Sequence, residues 1–365
     1  MQFRVAWPLG LMPFLCLWLS LQASGTEQEA TAPLREMNGF RVAQDFIVEP
    51  FADDKLAHDI YSMTIDPQGR VVVAGPGYVR ILVDDNQDGR ADRAIDFSKE
   101  PKNGAQSLVY HGHDLLAVGD QGIVLLEDRD GDDRVDGPAK VYLQMKTGGE
   151  HDTHSLQKGP DGWWYLLAGN MAQADSRYVT LSSSPVKKPV HGVWMRIRPD
   201  LKAAEVLTDG LRNAYDFAFD ARGMAHTFDS DDERDISLPW YRPTRVLELT
   251  TSVHMGWESN SWKRPDSWFD SPKVLAQAGR GSPTGVISYR HHALGEAWKD
   301  TLFVLDWTYG RVLAIRPHAM PKGQSKDPEL ILTAAPGHGF APTDLEVAPD
   351  GSIFICVGGR GTQGG

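Results

Sequence analysis

The chain has 365 residues, with 49 acidic side chains against 37 from Lys and Arg, and a formal net charge of −12. A surface of this sign repels nucleic acid and anionic lipid, and the longest basic run is Lys187-Lys188. These features argue against nucleic-acid binding. The cysteines are Cys16 and Cys356, and a chain of this length buries enough surface to fold without a disulfide.

The N-terminal segment has the composition of an export signal. Arg4 is followed by an apolar stretch from Val5 to Leu21, and small residues follow at Ala23 and Gly25. Prolines interrupt the stretch, and it is shorter than a membrane-spanning helix requires. We therefore expect residues 1–25 to be a cleaved signal peptide, residues 26–38 a flexible tether, and the mature chain to be periplasmic or secreted without a membrane span.

The rest of the chain is a repeat of turns and short strands. Six times a Gly- or Asp-rich turn precedes a strand-like run, with spacings of 46, 47, 61, 78 and 50 residues. A period near 50 built from hairpins is typical of β-propellers. The sequence predicts an all-β, six-bladed β-propeller over residues 39–365. The runs are Arg70–Ala74, Leu115–Gly119, Trp163–Ala168, Met224–Phe228, Thr301–Asp306 and Ser352–Val357.

Two hairpin turns carry more acid than a turn requires. Each has oxygen side chains at positions 1, 3, 5 and 9, a pattern that suits Ca²⁺, which takes six to eight oxygen ligands. Neither turn has an acidic residue at position 12, and Asp and Asn also favour turns for purely conformational reasons. The candidate calcium ligands are Asp84, Asn86, Asp88 and Asp92 in the first turn, and Asp128, Asp130, Asp132 and Asp136 in the second.

A histidine segment precedes the third hairpin. Gly148-Gly149-Glu150-His151-Asp152-Thr153-His154 is expected near the central channel, because the segment before an inner strand lies there. A histidine held by a carboxylate can accept a proton from an alcohol. We predict His151 as the catalytic base and His154 as the alternative base. The other interpretation is that one or both histidines cap loops or fill polar packing.

Further motifs lie along most of the mature chain. They are Thr208–Asp220, Asp229–Glu233, His254–Trp257, Gly281–Gly285 and Leu302–Trp307, together with Glu150–His154, Pro239–Arg245 and Gly358–Gln363. The first five resemble the soluble quinoprotein glucose/sorbosone dehydrogenase family. The last three resemble, within that family, a bacterial exported sorbosone dehydrogenase-like subgroup.

The resemblance implies a propeller that holds pyrroloquinoline quinone (PQQ) over its channel, with Ca²⁺ nearby. The acidic run Asp229–Asp235 is a further candidate for binding this calcium ion. The resemblance implies that His151 takes the proton of a sugar or polyol hydroxyl while hydride goes to the quinone, and that Arg212 and Asn213 bind the cofactor. An electron acceptor such as a cytochrome would then re-oxidise it. The resemblance also implies one more strand after Gly358–Gly365. We therefore expect a truncated C-terminus and a last blade that either lacks a strand or borrows one from the segment Gly39–Val48.

The sequence departs from the family where further cations are expected. Tyr289-Arg290 holds no lysine, and Trp307-Thr308-Tyr309 holds no basic residue, although PQQ carries three carboxylates. Two other functions therefore stay open: a non-catalytic propeller that binds carbohydrate or protein, and a Ca²⁺-dependent hydrolase or lactonase. Aromatic residues, among them Trp262 and Trp268, could stack on a sugar ring or pack between blades.

Overall fold

The computed structural model describes residues 2–6, 33–258, 264–265, 267–317 and 327–359, with backbone alone for residues 2–6. Its regular structure is almost entirely antiparallel strand. The N-terminal part contributes β1 (Gln2–Ala6), β2 (Leu34–Met37), β3 (Phe40–Ala43) and β4 (Ile47–Ala52).

Five blades follow, each an antiparallel meander of four consecutive strands. Every predicted strand-like run becomes the second strand of a hairpin, which confirms the all-β propeller. The blades are β5 (Ser62–Ile65), β6 (Val71–Gly75), β7 (Tyr78–Val83) and β8 (Arg93–Ser98); β9 (Ser107–His111), β10 (Asp114–Gly119), β11 (Gly122–Leu126) and β12 (Lys140–Gln144); β13 (Thr153–Lys158), β14 (Trp164–Ala168), β15 (Gly192–Ile197) and β16 (Ala204–Leu211); β17 (Phe217–Phe219), β18 (Ala225–Asp229), β19 (Arg245–Leu249) and β20 (Val274–Gln277); β21 (Pro283–Tyr289), β22 (Thr301–Asp306), β23 (Arg311–Ile315) and β24 (Glu329–Ala334).

A closing sheet replaces the expected sixth blade of consecutive strands. The last hairpin, β25 (Pro342–Val347) and β26 (Ile353–Val357), is extended by β1 and then β4. The strands β3 and β2 instead lengthen the fifth blade beyond β24. The prediction of six like blades is therefore corrected to five, because the sixth hairpin is completed by N-terminal strands and not by strands that follow it.

Side chains at the inner strands tie each sheet to the next around the channel. Each tie is a hydrogen bond between a side chain and the backbone of the neighbouring sheet or of the loop before it. The bonds are Ser62 Oγ to Ala105 O (2.8 Å), Leu156 N to Ser107 Oγ (3.2 Å), His154 Nδ1 to Ala214 O (3.1 Å), Val286 N to Asp216 Oδ2 (2.9 Å), Thr284 Oγ1 to Pro342 O (2.8 Å) and Thr343 Oγ1 to Ile60 O (2.8 Å).

The core consists of apolar layers between neighbouring sheets. In one layer the ring of Phe46 meets Trp298 edge-on at 4.7 Å and Phe303 at 6.3 Å between centroids. Such aromatic pairs add to the burial energy of each ring. The rest of the described chain is loops and three short 3-10 turns, Ser176–Tyr178, Glu233–Asp235 and Glu296–Trp298. Among the described residues, no helix has the length and apolar character to cross a membrane.

Candidate active site at the channel mouth

The strands β13 and β17 begin at one end of the channel, which we call the channel mouth. His151 lies in the loop immediately before β13 and is half-buried. Its Nδ1 is 2.6 Å from Oδ1 of Asn170. An amide oxygen only accepts hydrogen bonds, so Nδ1 carries the proton and the lone pair of the neutral ring is on Nε2. This arrangement prepares Nε2 to act as a base.

The ring is oriented by an amide and not by the neighbouring carboxylate that the sequence suggested. Asp152 is buried, and its carboxylate accepts hydrogen bonds from Lys146 Nζ at 2.7 Å and from Gly149 N at 2.9 Å. Its role is to fix the loop that carries His151. The carboxylate therefore supports His151 through the backbone.

The loop of residues 169–171 packs closely behind His151 and joins it to the loop that carries Arg212. Met171 N donates to the His151 carbonyl at 2.9 Å. A Cβ on Gly169 would lie 2.5 Å from the same carbonyl oxygen, so only glycine fits there. Asn170 N also donates to the Arg212 carbonyl at 2.9 Å, which joins the histidine loop to the arginine loop. Asn170 thus contacts both predicted parts of the site.

Asp229 holds the loop that carries Arg212 and Asn213. Its carboxylate is buried and accepts hydrogen bonds from the backbone N–H of Arg212 at 3.0 Å, of Asn213 at 2.8 Å and of Ser230 at 2.9 Å. Three bonds to one carboxylate make a rigid, charge-assisted turn. The turn stands at the end of β18, next to the start of β17.

The Arg212 guanidinium stays near the mouth with partners of its own. Nη1 donates to Ser230 Oγ at 2.8 Å, Nη2 is 3.6 Å from Glu233, and the side chain is 14% exposed. Asp209 and Asp216 are close to Arg212 in the sequence, but neither pairs with it in the described contacts. Asn213 is 4% exposed and its Oδ1 has no hydrogen-bond partner. A cationic fork beside an unpaired amide oxygen fits one polar edge of an anionic, planar cofactor.

Acidic and phenolic groups line the same side of the mouth. Tyr241 donates its hydroxyl hydrogen to Asp231 Oδ2 at 2.7 Å, and burial raises the pKa of Asp231 although Arg212 and Arg280 oppose the shift. Arg280 comes from the loop before β21 and could not be placed from its sequence neighbourhood. The basic residue at position 290 lines the opposite end of the channel, so the expected cation is absent from the mouth at that position.

His154 has a different environment from His151. It is fully buried, and its ring stacks on Tyr215 with centroids 4.4 Å apart. Nδ1 donates to the Ala214 carbonyl, and burial lowers the pKa of the ring to about 4. The structure thus places His154 in the wall between two blades. Its catalytic role stays a prediction.

The two acidic turns lie on the face opposite the mouth. They connect β7 to β8 and β11 to β12, on the same face as the turn between β5 and β6; Arg70 of that turn forms a two-pronged ion pair with Asp133, at 2.6 and 2.7 Å. In the second turn, ligand oxygens of Asp128, Asp130 and Asp136 lie within 4.8 Å of one another. The first turn shows no such convergence of three carboxylates among the described residues. Asp84 there accepts hydrogen bonds from Gly89 N at 2.8 Å and Asp88 N at 3.2 Å.

Exposed apolar side chains surround the mouth on three loops. They are Met171 (54% exposed), Leu238 (41%), Trp240 (44%) and Tyr309 (50%).

Trp163 and Trp164 point to opposite faces of the sheet, as adjacent strand residues do: Trp164 is buried, while Trp163 stacks on the Arg196 guanidinium at 4.4 Å. Trp268 is 44% exposed, and Trp262 lies outside the described residues.

Below the mouth, the channel contains a cavity of about 250 Å³ with carboxylates in its wall. Burial raises the pKa of Asp216 to about 6 and of Glu346 to about 8, the latter helped by the charge of Asp216. Burial and these two neighbours raise the pKa of Asp344 as well. This group was not predicted from the sequence, although the alternation Thr343-Asp344-Leu345-Glu346 in one strand indicates it, because residues two apart share a face.

A family model described as Domain of unknown function (DUF7133) matches residues 32–357. The chain belongs to this family. No curated protein matches its sequence.

Solved structures match the fold at low sequence identity. The PQQ-bound form of aldose sugar dehydrogenase from Streptomyces coelicolor is 16% identical, with 84% of this chain and 90% of that chain covered and a TM-score of 0.58. The calcium structure of a carbohydrate-active enzyme of family AA12 from Trichoderma reesei is 12% identical, with 91% of this chain and 98% of that chain covered and a TM-score of 0.62. The holo form of the pyranose dehydrogenase PQQ domain from Coprinopsis cinerea is 15% identical, with 90% of this chain and 98% of that chain covered and a TM-score of 0.56. At these identities the likeness shows the propeller fold.

Proposed function

We propose that this protein is an exported, PQQ-dependent oxidoreductase that oxidises a hydroxyl group of a sugar or polyol. The observation that carries the proposal is the contact of His151 Nδ1 with Asn170 Oδ1, together with the backbone bond from Asn170 to Arg212. It brings a base with a free Nε2 lone pair next to the predicted cofactor-binding loop. Proteins of similar fold include a PQQ-bound aldose sugar dehydrogenase and a pyranose dehydrogenase PQQ domain. The motif likeness supports the exported sorbosone dehydrogenase-like subgroup.

The residues have separate tasks in this reaction. His151 Nε2 accepts the hydroxyl proton as the carbonyl forms, and Asn170 keeps the ring in the required tautomer. Arg212 binds an acidic group of the cofactor, and Asn213 contributes a polar edge. PQQ, if bound beside these residues, would supply the two-electron oxidant for the hydride on the carbon atom that bears the hydroxyl group, so that the substrate would lose one proton and one hydride. An electron acceptor such as a cytochrome would then remove the two electrons.

Two accessory assignments belong to the same proposal. Calcium would bind the turn that contains Asp128, Asp130 and Asp136, with a stabilising role, since this turn is remote from the mouth. The closing sheet would act as the sixth unit of the propeller. The acidic turns do not support a calcium-dependent hydrolase, because their carboxylates do not face the channel mouth.

Reconstitution tests the proposal. Purified protein with PQQ and Ca²⁺ should show the absorption of a bound quinone and dye-linked oxidation of an aldose or polyol. His151→Ala should lower the rate by about 10² to 10⁴ and leave PQQ affinity nearly unchanged, whereas Arg212→Gln should weaken PQQ binding first. His292→Gln, on the exposed loop after β21, is the matched control and should change neither. Absence of any bound quinone would refute the proposal.

One observation favours a second function, a carbohydrate-binding propeller without catalysis. Trp240 and Tyr309 are about half exposed beside the mouth, and flat aromatic faces suit sugar rings. In that case Trp240→Ala would abolish binding to an oligosaccharide array, and His151→Ala would bind as the wild type does.

A further inference from the structure

Three possible metal ligands converge away from the predicted cofactor loop. They are His191, just before β15, and His254 and Glu258, both in the long connection from β19 to β20. Their ligand atoms all lie within 4.8 Å of one another. The sequence does not reveal this group, because more than sixty residues separate His191 from the other two and only the fold joins them.

Backbone hydrogen bonds hold this connection against the third blade. Residues 252–257 run along the end of β16, where Met255 N donates to the Asp209 carbonyl at 2.7 Å and Trp257 N donates to the Gly210 carbonyl at 2.9 Å. The two histidines therefore face each other across paired backbone, with ring centroids 5.7 Å apart. Their convergence follows from the regular fold.

The distances are close to those of a coordination sphere. His191 Nε2 is 3.6 Å from Glu258 Oε2, and His254 Nε2 is 3.6 Å from Glu258 Oε1. Tetrahedral zinc with bonds of about 2.0–2.1 Å places its ligand atoms about 3.3 Å apart. The two histidine–glutamate separations would have to shorten by a few tenths of an ångström. The two histidine nitrogens, which lie within 4.8 Å of each other, would have to reach the same spacing, which would complete three protein ligands and leave the fourth position for water.

We propose that His191, His254 and Glu258 form a binding site for a divalent transition-metal ion of the zinc class. Two imidazoles and one carboxylate are a donor set that suits zinc better than calcium or magnesium, which prefer all-oxygen ligands. The proposal does not depend on the oxidoreductase function, since no group of this site contacts His151 or Arg212 in the described structure.

A second carboxylate supports the first histidine from behind. His191 is 9% exposed, and its Nδ1 has no hydrogen-bond partner but lies 3.8 Å from Asp209 Oδ1. Metal-bound histidines usually donate their other ring N–H to such a carboxylate, which fixes the tautomer. Asp209 and Glu258 together supply two negative charges, which balance a divalent cation.

Metal binding should change the turn that carries His254. Its Nδ1 accepts a hydrogen bond from Gly256 N at 3.0 Å, so the proton of the neutral ring is on Nε2. Coordination through Nε2 moves that proton to Nδ1 and breaks the bond to Gly256. The indole of Trp257 lies next to this turn, 5.2 Å from the His191 ring, and its emission should report the change.

The site would brace the channel mouth from outside. Gly256 O accepts a hydrogen bond from Arg242 Nη1 at 2.9 Å, and Met255 O accepts one from Arg245 Nη2 at 3.2 Å. Arg245 is paired in the sheet with Asp229, the residue that fixes the Arg212 loop. A metal at this site therefore has a structural role.

The test uses the full chain after treatment with a chelator. Zinc titrated against a chromophoric chelator should bind with one tight equivalent and shift the tryptophan emission, and Co²⁺ should give the visible absorption of a tetrahedral ion. Glu258→Gln and His191→Gln should each weaken zinc binding by about tenfold to a hundredfold. His292→Gln, which removes a histidine elsewhere, should bind as the wild type does.

Each result decides the proposal. Circular dichroism of the metal-free variants establishes that they fold, and the Co²⁺ spectrum of the wild type needs no variant at all. Absence of a tight equivalent, absence of a tetrahedral Co²⁺ spectrum, or equal zinc affinity in the wild type and Glu258→Gln would overturn it. Loss of PQQ activity with intact zinc binding would count only against the proposed function.

Discussion

The channel carboxylate Glu346 should make the protein less stable as the pH rises from 5 to 8. Burial and the neighbouring Asp216 raise its pKa from 4.5 to about 8. The unfolded chain therefore loses this proton near pH 4.5, while the folded chain keeps it until about pH 8. Because the unfolded state binds fewer protons in this window, the free energy of unfolding falls with rising pH.

The size of the effect follows from that shift. Compared with a carboxyl group whose pKa does not change on folding, Glu346 lowers the free energy of unfolding by about 1 kcal/mol at pH 5 and by about 3 kcal/mol at pH 7. Glu346→Gln copies the protonated form and removes the cost. For a propeller of this size, a gain of about 3 kcal/mol corresponds to a rise in Tm of about 4 °C.

The assay is thermal unfolding at pH 5 and pH 7 for the wild type, Glu346→Gln and the control Glu36→Gln, whose side chain is exposed in β2. We expect the Tm difference between Glu346→Gln and the wild type to grow between the two pH values, while the control follows the wild type. A difference that does not depend on pH would show that Glu346 is ionised in the folded protein and would refute the reasoning.

Three further changes test other parts of the fold. Asp229→Asn should lower the free energy of unfolding by about 3 kcal/mol, because the carboxylate accepts three backbone hydrogen bonds; an unchanged urea midpoint would contradict this. The buried ring of His154 has a pKa of about 4, so it should lower the free energy of unfolding of the wild type by about 3 kcal/mol as the pH falls from 6.5 to 4, because the ring protonates first in the unfolded chain. In urea titrations at these two pH values, His154→Asn should lose this pH dependence. Calcium at a hundredfold excess over Kd should stabilise the wild type by about 2.7 kcal/mol and Asp130→Asn much less; equal Tm values of the wild type in chelator and in calcium would exclude the site.

The strands could be predicted well because the chain repeats one local signal. Each turn of the type seen at Gly159–Gly162 requires a backbone that Gly, Pro and Asp provide, and each is followed by a run of apolar residues. The predicted run Thr301–Asp306 coincides with a strand. The identity of the strands that close the last blade could not be predicted in the same way, since pairing between the ends of a chain leaves no local pattern.

The partner of His151 illustrates why the site was harder to predict. The pairing of Thr153 with Ala168 continues to position 170 opposite position 151. Counting back from the turn, where Lys158 pairs with Trp164, gives position 171 instead. The difference of one residue arises from an irregularity between Thr153 and Leu156, and a bulge of this kind exchanges the residues that face a ligand. Counting residues from the sequence therefore identifies the loop that faces His151, but it selects Met171 where the structure has Asn170.

The N-terminal strand sets a condition on the export proposal. The strand β1 lies between β26 and β4, where it pairs with both, yet residues 1–25 have the composition of a signal peptide. Cleavage would remove β1 and leave two strand edges facing each other with unpaired N–H and C=O groups, which invite another strand. A cleaved protein must therefore close the sheet with a different strand. Sequencing the N-terminus of the purified protein distinguishes the two states: a chain that begins after residue 25 supports export, and a chain that keeps residues 2–6 contradicts it and supports β1 as a permanent part of the closing sheet.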